Sequence, residues 1–229
     1  MFTLARMFLP LVASAVGISV FTVLLALFAR QAGATRLDLG LDRTEMRAGL
    51  LYGTAAFGIA AAIENVVLFL VAVSVIPATS GFLNDTRAHI SGGRLLFELA
   101  VSITLLTAIP EEFAFRGVLL WSALELTRQR RWRAILITSA LFGLWHIAPT
   151  LHTMSGNPGY GGLTGSVGGQ VLVVLINIGV TFTGGLVFGW LRVWSESLIA
   201  PVMAHAAVDG LALTVAWFTV HHGSLLSAR

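Results

Sequence analysis

Two long apolar runs constrain this chain more than any other feature. Residues 7–29, MFLPLVASAVGISVFTVLLALFA, carry no charge, and residues 48–77 carry only Glu64. Both exceed the ~20 residues that a helix needs to cross the hydrocarbon core. Lipid offers no hydrogen bonds to a backbone, so such runs fold as spanning helices. The first run is too long for a secretory signal and lacks a small-residue cleavage site, which predicts a retained helix. Composition points the same way: 56% of residues are hydrophobic and 11% are charged, against about 25% charged in an ordinary soluble domain. The mean hydropathy is +0.86.

Further apolar segments follow at 94–127, 134–149, 170–191 and 197–220, with an uncharged glycine-rich turn or re-entrant loop at 155–169. Pro110 is expected to kink or break the 94–127 segment. The expectation is an all-α, polytopic membrane bundle of six spans, or seven if Pro110 separates a hairpin, with its site inside the bundle. It forms a single membrane domain, N-terminal helices and connectors over 1–93 and a catalytic core over 94–220. All fourteen basic residues are arginine. With six spans, nine arginines (30, 36, 43, 47, 128, 130, 131, 133 and 192) fall on one side and four (6, 87, 94 and 229) on the other. The positive-inside rule assigns the nine to the cytoplasm and predicts a multi-pass protein of the cell membrane, surrounded by lipid. No basic patch is interleaved with aromatics, so the high pI reflects membrane margins and predicts no nucleic-acid partner. The absence of cysteine excludes disulfides, thiol catalysis and cysteine metal sites.

Against this background the stretch PEEFAFRG, residues 110–117, stands out. Each ionisable group inside a span costs roughly 2.5 to 3.5 kcal/mol on insertion scales. Glu112 and Arg116 are four residues apart, share a helix face and can neutralise each other. Glu111 points about 100° away from that face. His205 and Asp209 repeat the four-residue spacing on the last helix, and His146 supplies an imidazole from a third. Solitary Glu64 and Glu98 read as packing or margin residues with local partners, and the Glu112–Arg116 pair alone reads as a structural ion pair. As a set on three helices, buried ionisable groups mark a functional site.

These residues carry a resemblance. EEFAFRG is similar to the EExxxR motif of the CPBP family, also called Abi, which includes the type II CAAX prenyl endopeptidases. FGLWH, residues 142–146, resembles its FxxxH motif, and HAAVD, residues 205–209, resembles its third motif, which ends in Asn or Asp. The segment 184–205, GGLVFGWLRVWSESLIAPVMAH, matches the family's Gly-x-x-x-Gly helix followed by Pro-x-x-x-His. The resemblance spans residues 94–215. It implies an intramembrane endopeptidase acting on a membrane-associated or lipidated protein or peptide, with Glu111, Glu112, His146, His205 and Asp209 as the catalytic set and Arg116 as the structural partner of Glu112.

Peptide hydrolysis needs an activated water, stabilisation of the oxyanion and a proton for the leaving amine. Glu111 is the candidate base, His146 shares the water or its proton, and His205 with Asp209 holds the scissile carbonyl. An ionised Asp209 accepts hydrogen bonds only, so Asp209 orients His205 or else stays protonated. His146, His205 and Asp209 also make a candidate catalytic zinc set, although no HExxH helix is present; the metal is left open, with the metal-free form preferred. A competing class is a non-enzymatic transporter or proton relay, for which helix breaks at Pro110 and Pro201 would line a binding site. An immunity protein of the same fold without turnover is the third. Prenylated CAAX proteins are the family's type substrate, and no motif here selects a particular one.

Overall fold

The computed structural model of the protein describes residues 11–72, 86–154 and 158–226; residues 7–10 of the first apolar run and 155–157 of the glycine-rich loop lie outside them. Among the described residues the secondary structure is helical throughout. Six segments are long and apolar enough to cross a membrane. Helices α1 (Leu11–Gln31) and α2 (Met46–Ala72) are followed by α3, which runs over Gly92–Leu126. Helices α4 (Arg131–Trp145) and α5 (Ile147–Thr153) together make the fourth span, and α6 (Val167–Ser195) and α7 (Ile199–Leu226) complete the bundle. The chain is therefore a multi-pass integral membrane protein, with six candidate spans among the described residues, and Pro110 does not separate a hairpin.

Three prolines met different fates. Pro110 lies in the interior of α3, where the helix shifts to i→i+5 hydrogen bonding on both sides, over Glu98–Ala108 and Phe113–Leu119. Ile109 N–H bonds Thr104 O across that wider turn. A π-turn has room for a residue that lacks an N–H and crowds the preceding carbonyl, so the helix continues. Pro201 falls in the first turn of α7, where its missing N–H costs nothing. The break falls instead before Pro149: α4 ends at Trp145, His146 adopts φ −80° and ψ −1°, and α5 begins at Ile147. Proline cannot bond the carbonyl four residues back, which places His146 at a discontinuity within a span.

Small residues bring the helices together. With no hydrophobic drive between helices in lipid, close backbone packing holds them. Gly185 and Gly189 on α6 face α4: a Cβ at Gly185 would lie 3.0 Å from Cα of Ser139, and one at Gly189 would lie 3.0 Å from Ile135 Cγ2. On α2, Gly53 does the same against α7, where a Cβ would meet Met203 Sδ at 2.7 Å. Gly49, one turn earlier, faces Ser197 and Ile199. The two most extensive helix pairs are these, α2 with α7 and α4 with α6, while α3 touches α1, α4, α6 and α7 and so occupies the centre. Glu98 at the start of that span pairs with Arg94 at 2.5 Å.

The 32–45 connector, which carries Arg36 and Arg43, meets the end of α6 and the turn into α7. Arg192 Nη2 donates to Leu37 O (3.1 Å) and Asp38 O (2.8 Å), and Leu198 N–H donates to Gly40 O (2.9 Å). Gly40 has φ 72°, and a side chain there would strike the Arg192 guanidinium. This contact pins the 32–45 connector onto the α6–α7 turn.

The α4–α6 crossing generates a direct test. Gly185→Leu is expected to lower stability by roughly 1 to 3 kcal/mol through overpacking, whereas Gly184→Ala, whose Cβ would meet nothing closer than 3.9 Å, should be tolerated. Thermal unfolding of both variants in one detergent separates them.

Candidate active site

Glu111 and Glu112 occupy the short α-helical stretch Ile109–Glu112 between the two π-segments of α3. Glu112 and Arg116 are fully buried, and Glu111 and His205 nearly so. A π-segment turns the chain less per residue than an α-helix and is common where side chains must be re-aimed at functional positions.

Glu112 is the hub. Its Oε1 accepts from Arg116 Nη1 at 3.1 Å and lies 2.8 Å from His205 Nδ1 on α7, 93 residues away. His205 Nε2 stands 3.5 Å from Asp209 Oδ2. Both ring nitrogens of His205 thus face carboxylates, an arrangement that an imidazolium with two N–H donors satisfies. The 3.5 Å separation exceeds a good hydrogen bond, so the Nε2–H toward Asp209 is the looser of the two. Asp209 itself is half-exposed, with 45% of its side chain accessible. The site therefore grades from sealed at Glu112 to open at Asp209.

Aromatic rings wall the buried end. Arg116 lies over Phe142 with its Cζ 4.2 Å from the ring centroid, and Phe188 and Phe115 stand at 5.3 and 5.7 Å. Its Nη2 also donates to Gly185 O at 3.3 Å. A guanidinium is weakly hydrated and tolerates such a cage better than an ammonium would. His205 stacks on Phe188 at 5.2 Å and 16°. One arginine therefore ties α3 to both glycine-lined helices, α4 and α6.

His146 sits at the α4–α5 break with Nδ1 2.7 Å from Phe142 O. A carbonyl oxygen only accepts, so Nδ1 carries the hydrogen and, in the neutral ring, Nε2 keeps its lone pair. Thr150 Oγ1 donates to His146 O at 2.6 Å, and Asn177 Nδ2 on α6 donates to Thr150 Oγ1. This support was not anticipated from sequence; its only signal was an amide in an uncharged span. Glu111 lies within electrostatic reach of both His146 and His205, and Asp209 within reach of both as well.

The candidate zinc set does not fit this arrangement. His205 faces a carboxylate with each ring nitrogen, and among the described residues no three His, Asp or Glu side chains gather so as to hold a metal ion.

The ion pair makes a prediction of its own. Arg116→Ala removes a cation from a fully buried carboxylate, at a cost on the order of 3 to 5 kcal/mol, and also the link to Gly185. Arg116→Lys keeps the charge but cannot bridge two oxygens on different helices in one plane, so an intermediate loss is expected. Thermal stability of the two variants, read beside wild type, checks the order.

Residues 93–211, just over half of the chain, match the family described as Rce1-like, type II CAAX prenyl endopeptidase Rce1-like. No curated protein and no solved structure matches the chain. The matched stretch takes in Glu111, Glu112, Arg116, His146, His205 and Asp209 together. With a six-span membrane bundle carrying all of them, the chain belongs to the Rce1-like family of type II CAAX prenyl endopeptidases.

Proposed function

We propose that this protein is an intramembrane endopeptidase that hydrolyses a peptide bond in a membrane-associated or lipidated protein, with Glu111 as base. What carries the reading is the clustering of two buried carboxylates with two imidazoles: Glu112 is held between Arg116 and His205, and Glu111 lies within electrostatic reach of His146 and His205. A carboxylate at hydrogen-bond reach of a bound water can act as its general base. Glu111 takes a proton from water as the hydroxide adds to the scissile carbonyl carbon. His146 Nε2, the free lone pair of that ring, holds the same water in line.

The developing oxyanion needs a donor already in place. His205 Nε2–H, only loosely engaged by Asp209, turns to it, while Glu112 and Asp209 keep the ring oriented and charged. The proton held by Glu111 then passes to the leaving amine nitrogen, the carbon–nitrogen bond breaks, and a free carboxylate and amine result. Arg116 touches no reacting atom in this scheme and acts by fixing Glu112. The substrate is a protein or peptide that reaches the site from the membrane, of the CAAX-processing kind.

Glu111→Gln is expected to lower turnover by roughly 10² to 10⁴-fold, the range of a positioned base, with thermal stability unchanged. Cleavage of a reporter peptide in proteoliposomes at the wild-type rate would remove Glu111 from the mechanism. Asp209→Asn should retain activity within about tenfold, since an amide still fixes the ring and can itself donate to the oxyanion, and chelators should leave both proteins active. Stoichiometric zinc that disappears together with activity in that variant would instead assign Asp209 to a metal.

A further inference from the structure

Four arginines, Arg128, Arg130, Arg131 and Arg133, crowd the turn between α3 and α4, and all are exposed. None forms an ion pair among the described residues. The nearest carboxylate in sequence, Glu125, accepts from Gln129 at 2.9 Å instead. Arg128, Arg130 and Arg133 line an open groove of about 620 Å³ together with Leu126, Leu136 and Ile137.

Helix stability does not explain the cluster. Arg131 and Arg133 stand in the first turn of α4, where the helix dipole disfavours cations. The backbone is also unusual: Arg128 and Gln129 are both left-handed, with φ 53° and 62°, in a helix end that glycine normally occupies. Bonds from Gln129 N–H to Leu124 O (2.8 Å) and Arg128 N–H to Glu125 O (3.2 Å) hold it there. The chain thus keeps arginine where glycine would fit more easily.

The groove combines two chemistries at one membrane end. Leu126 is 85% exposed, and Leu136 and Ile137 are exposed on a helix that crosses the bilayer. Trp132 on the same turn packs against Trp194 at 5.3 Å, a pairing of indoles typical of headgroup depth. We propose that this groove binds the headgroup phosphate of an anionic phospholipid, with its acyl chains lying along Leu136 and Ile137. A soluble phosphate would not use the apolar wall. A zwitterionic headgroup would bring its own cation against three others.

The test uses the full chain purified in a neutral detergent, with lipid retention read by native mass spectrometry. Phosphatidylglycerol is expected to be retained over phosphatidylcholine of the same chains, less so as salt rises, and not to be displaced by glycerol 3-phosphate. Each of Arg128→Gln, Arg130→Gln and Arg133→Gln should weaken retention about fivefold, and the three together on the order of a hundredfold. The control Arg36→Gln/Arg43→Gln, exposed arginines of the 32–45 connector, should leave retention unchanged. Equal retention of phosphatidylcholine, displacement by glycerol 3-phosphate, or the same loss in the control as in the triple variant would overturn the proposal. The lipid comparison and the displacement are run on the wild-type chain, so they decide even if the triple variant does not fold.

Discussion

A carboxylate with no access to water, Glu112, is the group on which the interior of this bundle depends. Charge at such a depth persists only when it is compensated at short range, and here the compensation comes from two directions, Arg116 on its own helix and His205 on the last. Each cation is held by more than the carboxylate. Arg116 is caged by three phenylalanines and a backbone carbonyl, and His205 is stacked on one of the same rings. The electrostatic requirement and the packing of α3, α4, α6 and α7 are therefore one arrangement. The glycines of α6 let its backbone come close enough for Gly185 O to reach the guanidinium.

Much of the fold was legible because lipid simplifies the rules. Long uncharged runs have one way to satisfy their backbone, so the apolar segments could be read from length and charge alone, while the choice between six spans and seven turned on Pro110. The Glu112–Arg116 and His205–Asp209 proximities were legible for a similar reason, since four-residue spacing is a local property of any helix. The Glu112–His205 contact was not, because it joins residues 93 positions apart and depends on how helices are packed. The same limit explains the zinc set: three suitable side chains were present, but where each ring nitrogen points is a tertiary matter.

Proline illustrates the boundary between the two kinds of information. Pro110 is expected to kink or break its helix, and Pro201 to mark a break only if the chain is a transporter, yet the discontinuity lies before Pro149, at the end of an apolar run. What decides is the hydrogen-bond register around each proline, and Pro110 sits in a helix that has widened on either side. Likewise Gly49 and Gly53 read as ordinary members of an apolar run until α7 is seen lying against them.

The gradient from sealed Glu112 to half-exposed Asp209 bears on how encounters with such a site are counted. Asp209 lies on a helix long and apolar enough to span a membrane, and on the proposed reading the substrate reaches the open side of the site from within the bilayer. A lipidated substrate of the proposed kind approaches it by diffusing in two dimensions. Its effective concentration is then a number of molecules per area of membrane, and diluting the vesicles in buffer leaves it unchanged, whereas adding inert lipid lowers it. Occupancy in such a system follows the mole fraction of the tethered partner, not its molarity.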